Sequence, residues 1–353
     1  MSEPFILAGQ EVLPGTNTII DVPLPDLYTH SSLSMPVQVI RGKQEGPILF
    51  VSAAVHGDEI NGVEIIRRLV KSKSLSRMKG TLITVPIVNV YGFLNQSRYL
   101  PDRRDLNRCF PGSVKGSLAA RLAKLFMTEV VQQCTHGIDL HTAAIHRDNL
   151  PQIRADLSNQ VTEQMALAFN APVVVNSGLI EGSLRYACST EKNLPIIVYE
   201  AGEALRFDEF SIRAGVKGIL SVMQSIGMLT PPKRKTKKKA PEPFVARSTL
   251  WVRAPQSGIF RMTVSMGKHV FEGDLLGAVA TPYGEDGKET DIISPISGII
   301  IGRTNLPLVS EGEALFHIAR FTRPKDVVDN LEAFQLDLDP ASDEAPPEDL
   351  PII

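Results

Sequence analysis

Residues 47–59 read PILFVSAAVHGDE, an apolar run that ends in polar residues. The apolar run at 47–54 predicts a buried strand, and apolar residues at helical spacing over 58–71 predict a helix directly after it. Beyond this unit, strands are predicted at 81–88, 137–140, 172–176 and 194–199, and helices at 117–134 and 211–226. Strands that alternate with helices favour an open α/β sheet, largely parallel or mixed, with helices on both faces.

Polar side chains follow three of the predicted strands. His56, His141 and Glu200 each come directly after an apolar run. Ligands of open α/β sheets bind at the loops beyond the carboxyl ends of the strands. The sequence therefore predicts that these three side chains meet at one end of the sheet.

A metal site is the first hypothesis for this end. His56 and Glu59 are three residues apart across a bend between strand and helix, so that an imidazole and a carboxylate can converge on one ion. His141 would be the third ligand, and Asp139 is predicted to orient a ligand histidine from behind. Two histidines and a glutamate, with the fourth position left to water, are typical of catalytic zinc. The alternative for His-x-x-Glu alone is a surface histidine and a helix-start glutamate that the helix dipole favours.

Other charged residues are candidates for the chemistry. Glu200 ends an apolar strand, where it is either a general base or the first solvated residue; Glu203 and Glu181 are its competitors. Residues 98–108, RYLPDRRDLNR, hold four arginines in a loop. Such a loop is either a solvated basic segment or a clamp that binds a substrate carboxylate through bidentate contacts.

Composition excludes several classes of protein. The chain has 353 residues, of which 43% are apolar, enough for two domains with sizeable cores. A formal net charge of −2 gives no general attraction to nucleic acid or to an anionic membrane. Three cysteines indicate no disulfide framework and favour a reducing cytoplasm. We expect a cytoplasmic protein, since no signal-peptide pattern and no apolar run of roughly 18 residues occur.

The chain beyond residue 230 has a different character. Residues 231–243 combine prolines with a lysine-rich run, which predicts an exposed linker or loop; a nucleic-acid or membrane partner is the disfavoured alternative. Residues 244–322 are rich in glycine and in short apolar runs, and APQSGI at 254–259 is echoed by SPISGI at 294–299. Two copies of a hairpin-rich unit predict a small β-sandwich with pseudo-twofold symmetry. Residues 323–353 are predicted to be an acidic tail, and 1–44 a β segment packed on the α/β domain.

The motifs together resemble the succinylglutamate desuccinylase/aspartoacylase family, a branch of the zinc carboxypeptidase fold. The resemblance covers about residues 45–227 and rests on five motifs in the family's order: HGDE at 56–59, NVYGF at 89–93, Arg98 with DLNRCFPG at 105–112, DLHT at 139–142, and Glu200. The fold class this implies is α/β, a mixed zinc carboxypeptidase-like sheet flanked by helices (45–230). The β region resembles biotinyl/lipoyl-like barrel-sandwich modules.

The resemblance also implies roles. His56, Glu59 and His141 match the ligands of one Zn²⁺ per chain, and Glu200 matches the general base and proton shuttle. Arg98 matches the arginine that polarises the scissile carbonyl, and Asn107 and Arg108 match the pair that holds the substrate carboxylate. In the β module, Gly287 falls at the position of the modified lysine and Lys288 one place later. A carrier role is therefore not expected; the module is predicted to limit access to the zinc or to mediate assembly.

A zinc-dependent hydrolase that cleaves the amide bond of a small N-acylated amino acid is the function predicted from this resemblance. The alternatives are a metallocarboxypeptidase acting on short peptides and a non-catalytic binding protein on the same fold. The predicted partner is the small substrate, with no nucleic acid and no membrane, and the sequence leaves homo-oligomerisation open.

Overall fold

The computed structural model describes residues 5–26, 29–231, 244–246, 248–283 and 289–321, together with Phe334 and Leu338. Three predictions lie outside the described residues: the lysine-rich run at 233–239, the position of the modified lysine at 287–288, and nearly all of the acidic tail at 323–353. Among the described residues, no helix has both the length and the apolar character that crossing a membrane requires.

Strands and helices alternate through the first two thirds of the chain, and strands alone follow. The strands are β1 Phe5–Leu7, β2 Gln10–Val12, β3 Asn17–Pro23, β4 Ser34–Arg41, β5 Gln44–Ala53, β6 Lys79–Val85, β7 His136–Ala143, β8 Arg147–Ala155, β9 Val173–Asn176, β10 Ile196–Glu203, β11 Phe244–Ala246, β12 Ser248–Arg253, β13 Gly258–Met262, β14 His269–Val270, β15 Leu275–Ala280, β16 Glu289–Ile293, β17 Gly298–Thr304, β18 Leu308–Val309 and β19 Ala314–Arg320. The helices are α1 Asn61–Leu69, α2 Val90–Leu94, α3 Leu118–Glu129, α4 Gln160–Phe169, α5 Leu184–Lys192 and α6 Glu209–Ser225, with 3-10 turns at Lys73–Arg77, Leu106–Arg108 and Val131–Gln133.

A single mixed sheet carries the site. Its strand order is β3-β4-β6-β5-β7-β10-β8-β17-β19-β12, and β9 pairs with both β8 and β11. The four strands β6, β5, β7 and β10 are parallel, whereas β8 runs antiparallel to β10. The carboxyl ends of β5, β7 and β10 therefore lie side by side, as the predicted α/β fold requires.

Helices cover both faces of the sheet. Helices α1, α4 and α6 pack on one face through buried residues such as Ile65, Met165 and Ile219. Helix α3 packs on the other face with the start of α5, where the ring of Phe126 contacts that of Phe50 edge to face at 6.0 Å. Ser117 caps α3 as the sequence predicts, because its Oγ accepts a hydrogen bond from the backbone N–H of Ala120. The mixed α/β architecture with two helical layers is confirmed.

Two predicted strands are longer than expected. His141 lies inside β7 and Glu200 inside β10, so neither follows its strand as predicted. Both residues are polar, and a polar residue after an apolar run indicates the end of a strand. Here His141 is buried as part of the site, which is why β7 continues through it. His56 follows β5 in a loop, as predicted.

The β region continues the sheet of the α/β region. Strand β17 pairs antiparallel with β8, and β19 and β12 follow it. A second sheet, in the order β16-β15-β13-β18, packs on these strands through an apolar core that includes Phe260, Leu276 and Phe316. Two packed, largely antiparallel sheets agree with a small β-sandwich; the biotinyl/lipoyl-like assignment stays a prediction.

Candidate metal centre and active site

Two histidines and one glutamate converge at the ends of β5 and β7. The Nδ1 atom of His56 lies 2.6 Å from Glu59 Oε1, and the Nδ1 atom of His141 lies 2.8 Å from Glu59 Oε2. All three side chains are buried, and their ligand atoms lie within 4.8 Å of one another. The loop between His56 and Glu59 is tight, since a Cβ on Gly57 would overlap the backbone of Gly92.

Each histidine makes a second contact with a carboxylate. His56 Nε2 lies 3.1 Å from Asp105 Oδ1, and His141 Nε2 lies 2.7 Å from Asp139 Oδ2. Ser52 in turn donates a hydrogen bond to Asp139. With the Nε2 proton held by a carboxylate, Nδ1 of each imidazole can either donate a proton to Glu59 or, once that proton is lost, offer its lone pair to a metal ion shared with Glu59. A carboxylate behind the ligand histidine is the usual arrangement in metal sites.

The charges of the three residues are coupled. Burial alone would raise the pKa of Glu59, but the charges of His56 and His141 outweigh it and hold that pKa well below its usual range. Burial alone would lower the pKa of both histidines, but the neighbouring carboxylates reverse this and raise it, most strongly for His141. A divalent cation can replace these protons, and two imidazoles with one carboxylate fit a borderline metal such as zinc.

Arg98 lies directly beside the three residues. One Nη atom of Arg98 is 3.2 Å from both Glu59 Oε1 and His56 Nδ1. Asp105 holds the guanidinium in place, because its Oδ2 accepts hydrogen bonds from Nε and from the other Nη at 3.2 and 2.9 Å. Asp105 therefore contacts both His56 and Arg98, and these two positive charges hold its pKa well below the usual range against the effect of burial.

Glu200 lies next to His141 in the sheet. The two residues are register partners on the parallel strands β10 and β7. The Oε2 atom of Glu200 accepts hydrogen bonds from Asn149 and from Arg154, both at 2.9 Å. Its competitor Glu203 does not line the cavity described below: it accepts hydrogen bonds from His146 and Asn305 instead.

The DLNR segment lines the same space. Asn107 accepts a hydrogen bond from the backbone N–H of Leu184, which attaches this segment to the start of α5. Arg108 lies beside it and donates to its carbonyl oxygen. Arg104 is 61% exposed and lies 3.9 Å from Asp102, so it belongs to the solvated side of the loop.

One cavity of about 290 Å³ brings these groups together. All eight predicted site residues line it: His56, Glu59, Arg98, Asn107, Arg108, Asp139, His141 and Glu200. Buried metal-ligand atoms, a carboxylate and several guanidinium groups around one space are the arrangement of an active site for a polar, carboxylate-bearing ligand.

Comparison with known proteins agrees with this geometry. The family model of the succinylglutamate desuccinylase/aspartoacylase catalytic domain matches residues 45–226, just over half of the chain. The chain belongs to the succinylglutamate desuccinylase/aspartoacylase family. Its hydrolase character follows from this membership.

Individual relatives are distant. An N-alpha-acetyl-L-2,4-diaminobutyric acid deacetylase of Halomonas elongata is 23% identical over 255 residues, which are 70% of this chain and 74% of the relative. The crystal structure of a succinylglutamate desuccinylase/aspartoacylase from Rhodobacter sphaeroides has a TM-score of 0.77 and 24% identity, and covers 87% of this chain and 95% of its own. The product-bound ectoine utilization protein EutE (DoeB) of Ruegeria pomeroyi has a TM-score of 0.76 and 23% identity, with coverage of 90% and 98%. The shared fold thus extends past residue 226 into the β region.

Several residues of the site in this family member were missed from its sequence. Asp105 stands within the quoted family motif, so its contacts with His56 and Arg98 could have been proposed. Arg147, Arg154 and Arg185 line the cavity, and no local pattern marks them. Arg185 is buried and donates to the Ser177 hydroxyl and to backbone carbonyl groups, which shapes the loop after β9.

Trp251 is a further missed residue, and it comes from the β region. Its indole ring stacks on the imidazole of His317, with centroids 4.3 Å apart and planes at 4°. The guanidinium carbon of Arg147 lies 5.8 Å from the indole centroid. The β region of this family member therefore forms part of the cavity wall.

His317 predicts how stability depends on pH. Burial, together with the nearby positive charge of Arg154, lowers the pKa of His317 to about 3. Unfolding returns the pKa to about 6.5, so the unfolded chain binds more protons between these values. The free energy of unfolding should therefore fall by about 1.4 kcal/mol per pH unit from this residue as pH drops below 6.5. His317→Phe keeps a ring stacked on Trp251 but removes the titrating group. Between pH 6 and about 4.5, the free energy of unfolding measured in urea should fall by this extra amount per pH unit in wild type relative to the variant. Equal pH dependence in the two proteins would contradict the prediction.

Proposed function

We propose that this chain is a zinc-dependent hydrolase that cleaves the amide bond of a small N-acylated amino acid. The observation that carries the proposal is the buried set of His56, Glu59 and His141, in which each imidazole also contacts a carboxylate. Glu200 and Arg98 line the same cavity. Membership in the family supports the reaction class, and the name of the Halomonas relative supports a small N-acylated amino acid as substrate.

Each residue around the cavity has a proposed role in the reaction. His56, Glu59 and His141 would hold the zinc ion, which would supply a Lewis acid that polarises a carbonyl and acidifies water. Arg98, oriented by Asp105, donates to the carbonyl oxygen of the scissile amide as negative charge develops on it. Glu200 accepts a proton from the attacking water and delivers it to the leaving amine nitrogen. Both contacts from Asn149 and Arg154 go to Oε2 of Glu200, so we assign proton transfer to Oε1.

The size of the cavity favours a deacylase over a peptidase. About 290 Å³ lies at the lower end of the range for small-molecule pockets, roughly 300 to 1,000 Å³. Trp251 and Arg147 both line this space, and their large side chains leave less room for a peptide chain. Asn107 and Arg108 supply an amide and a guanidinium for the carboxylate of the amino acid.

A substrate panel tests the proposal. The purified, zinc-loaded chain is incubated with N-acetyl and N-succinyl amino acids and with short peptides, with a chelator-treated sample as control. We expect chelator-sensitive release of the free amino acid from N-acyl substrates. Faster cleavage of the peptides would support the carboxypeptidase alternative, and no cleavage with zinc bound would support the binding-protein alternative.

Arg108→Ala should mainly raise KM. Arg108 is expected to bind the substrate carboxylate equally in the ground state and the transition state, so that its loss leaves kcat nearly unchanged. A lost hydrogen bond to a charged group predicts an increase in KM of roughly 10- to 100-fold. Arg104→Ala is the matched control, because Arg104 is exposed and lies outside the cavity lining. A fall in kcat at constant KM would assign Arg108 to the transition state instead.

A further inference from the structure

Trp251 is the one contribution of the β region to the cavity wall among the described residues. Every other lining residue lies at or before position 200. Trp251 belongs to β12 and is also the only tryptophan of the chain. All residues assigned to the proposed chemistry lie on the α/β region.

The position of Trp251 is fixed from several sides. His317 on β19 has a register partner on each neighbouring strand. Trp251 on β12 lies opposite it on one side, and Gly302 on β17 lies opposite it on the other. Gly302 is a close-packed position, since a Cβ there would lie 2.8 Å from Asn149 Oδ1 and 3.2 Å from His317 Cβ. His317 stacks on the indole and Arg147 lies beside it, so both contacts favour this rotamer of the half-buried ring.

The chain leads directly from the metal centre to this ring. After His141 and Thr142 come Ala143 and Ala144, two small residues that also line the cavity. Arg147 donates its backbone N–H to Ala144 at 3.0 Å and extends its side chain to Trp251. The space next to His141 is therefore lined by two small residues and bounded by Trp251 and the guanidinium-bearing Arg147, which leaves room for a short acyl group.

The predicted carboxylate clamp, Asn107 and Arg108, is attached to a different part of the fold from Trp251. Asn107 and Arg108 are fixed to the start of α5, whereas Trp251 is held by β19 and by the start of β8. A substrate whose carboxylate lies at Asn107 and Arg108 and whose carbonyl lies at the metal directs its acyl group away from the clamp. The small apolar surface of Ala143, Ala144 and Trp251 is the part of the lining suited to that acyl group.

We propose that Trp251 is the specificity-determining wall that limits the length of the acyl chain this hydrolase accepts. The inference rests on the function proposed above and deepens it by naming the acyl side of the substrate. Short acyl groups such as acetyl fit between the metal centre and the indole, whereas longer alkyl chains would have to displace the ring from its stack on His317. Each misplaced methylene changes kcat/KM by roughly 10- to 200-fold in pockets of this kind.

The role of Trp251 is tested by measuring how kcat/KM of the full-length, zinc-loaded protein depends on the length of the acyl group. The substrates are the N-acetyl, N-butanoyl and N-hexanoyl derivatives of L-aspartate and of L-2,4-diaminobutyrate. For wild type, we expect kcat/KM to fall steeply with chain length. Trp251→Ala should raise the ratio of hexanoyl to acetyl turnover at least about tenfold. Trp251→Phe should give an intermediate ratio, and it keeps the test open if the alanine variant fails to fold. Leu250→Ala is the matched control, since Leu250 is the next residue on the same strand and lies outside the lining.

Tryptophan emission separates this proposal from the proposed reaction. All tryptophan fluorescence comes from Trp251, so emission reports occupancy of the cavity without turnover. Titration of the zinc-loaded Glu200→Gln variant should give a saturable change with N-acetyl ligands and an affinity at least about tenfold lower with N-hexanoyl ligands. If the Trp251 variants hydrolyse the substrates with the same dependence on acyl-chain length as wild type, Trp251 does not limit acyl length, and the proposed reaction is unaffected. If emission changes selectively with acetyl ligands but wild type hydrolyses nothing, the proposed reaction is wrong and the role of Trp251 is supported. If there is neither an emission change nor hydrolysis, both proposals are wrong.

Discussion

Glu200→Gln is expected to lower kcat by about 10²- to 10⁴-fold while zinc stays bound, because the amide that replaces the carboxylate cannot accept a proton. The substitution is nearly isosteric and keeps the oxygen that accepts from Asn149. Neither ligand histidine is altered. The loss should therefore appear in kcat, with KM nearly constant.

Steady-state kinetics with metal content measured on the same samples check this result. Glu203→Gln is the matched control: it is the other carboxylate on β10, but its contacts are with His146, Asn305 and Arg206 outside the cavity. We expect the control to keep wild-type kcat. Unchanged turnover in Glu200→Gln would remove Glu200 from the mechanism.

His141→Ala is expected to abolish zinc binding and hydrolysis together. The variant removes one of three ligands and leaves Asp139, itself buried, without its histidine partner. Loss of a group that only orients a ligand costs about 10- to 100-fold in metal affinity, so loss of the ligand itself should exceed this range. Metal content after dialysis against a weak chelator, measured with activity, gives both readouts.

His146→Ala is the control for His141. This histidine lies five residues further along the chain, is about half exposed, and contacts Glu203 rather than the metal centre. It should keep full metal content and turnover. A His141→Ala variant that binds zinc as wild type does would show that the metal lies elsewhere.

The elements that could be predicted are those with local signals. The apolar run of β5, the helical spacing of α1 and the serine cap of α3 all act within a few residues. The eight predicted site residues line one cavity: His56, Glu59, Asp139, His141 and Glu200 lie in or just after the central strands, and Arg98, Asn107 and Arg108 lie in the loop between α2 and α3. Their chemical roles stay predictions, as do cytoplasmic localisation and homo-oligomerisation.

Strand β8 shows why other parts could not be predicted. Its sequence, RDNLPQIRA, has no apolar alternation and contains Pro151, which normally argues against a central strand. The structure tolerates the proline at a shift in register between Glu200 and Gly202 on the neighbouring strand. Arg154 and Asn149 reach Glu200 only because of this pairing. Trp251 likewise reaches the cavity through the pairing of β17 with β8, which joins residues more than a hundred positions apart.

Zinc titration of chelator-stripped protein tests whether hydrolysis depends on a metal ion at His56, Glu59 and His141. Bound metal and hydrolysis of an N-acyl amino acid are followed together as zinc is added back. We expect turnover to be absent after stripping and to rise in proportion to bound zinc up to one ion per chain. Turnover that survives complete removal of the metal, or zinc that binds at His56, Glu59 and His141 without restoring hydrolysis, would contradict it.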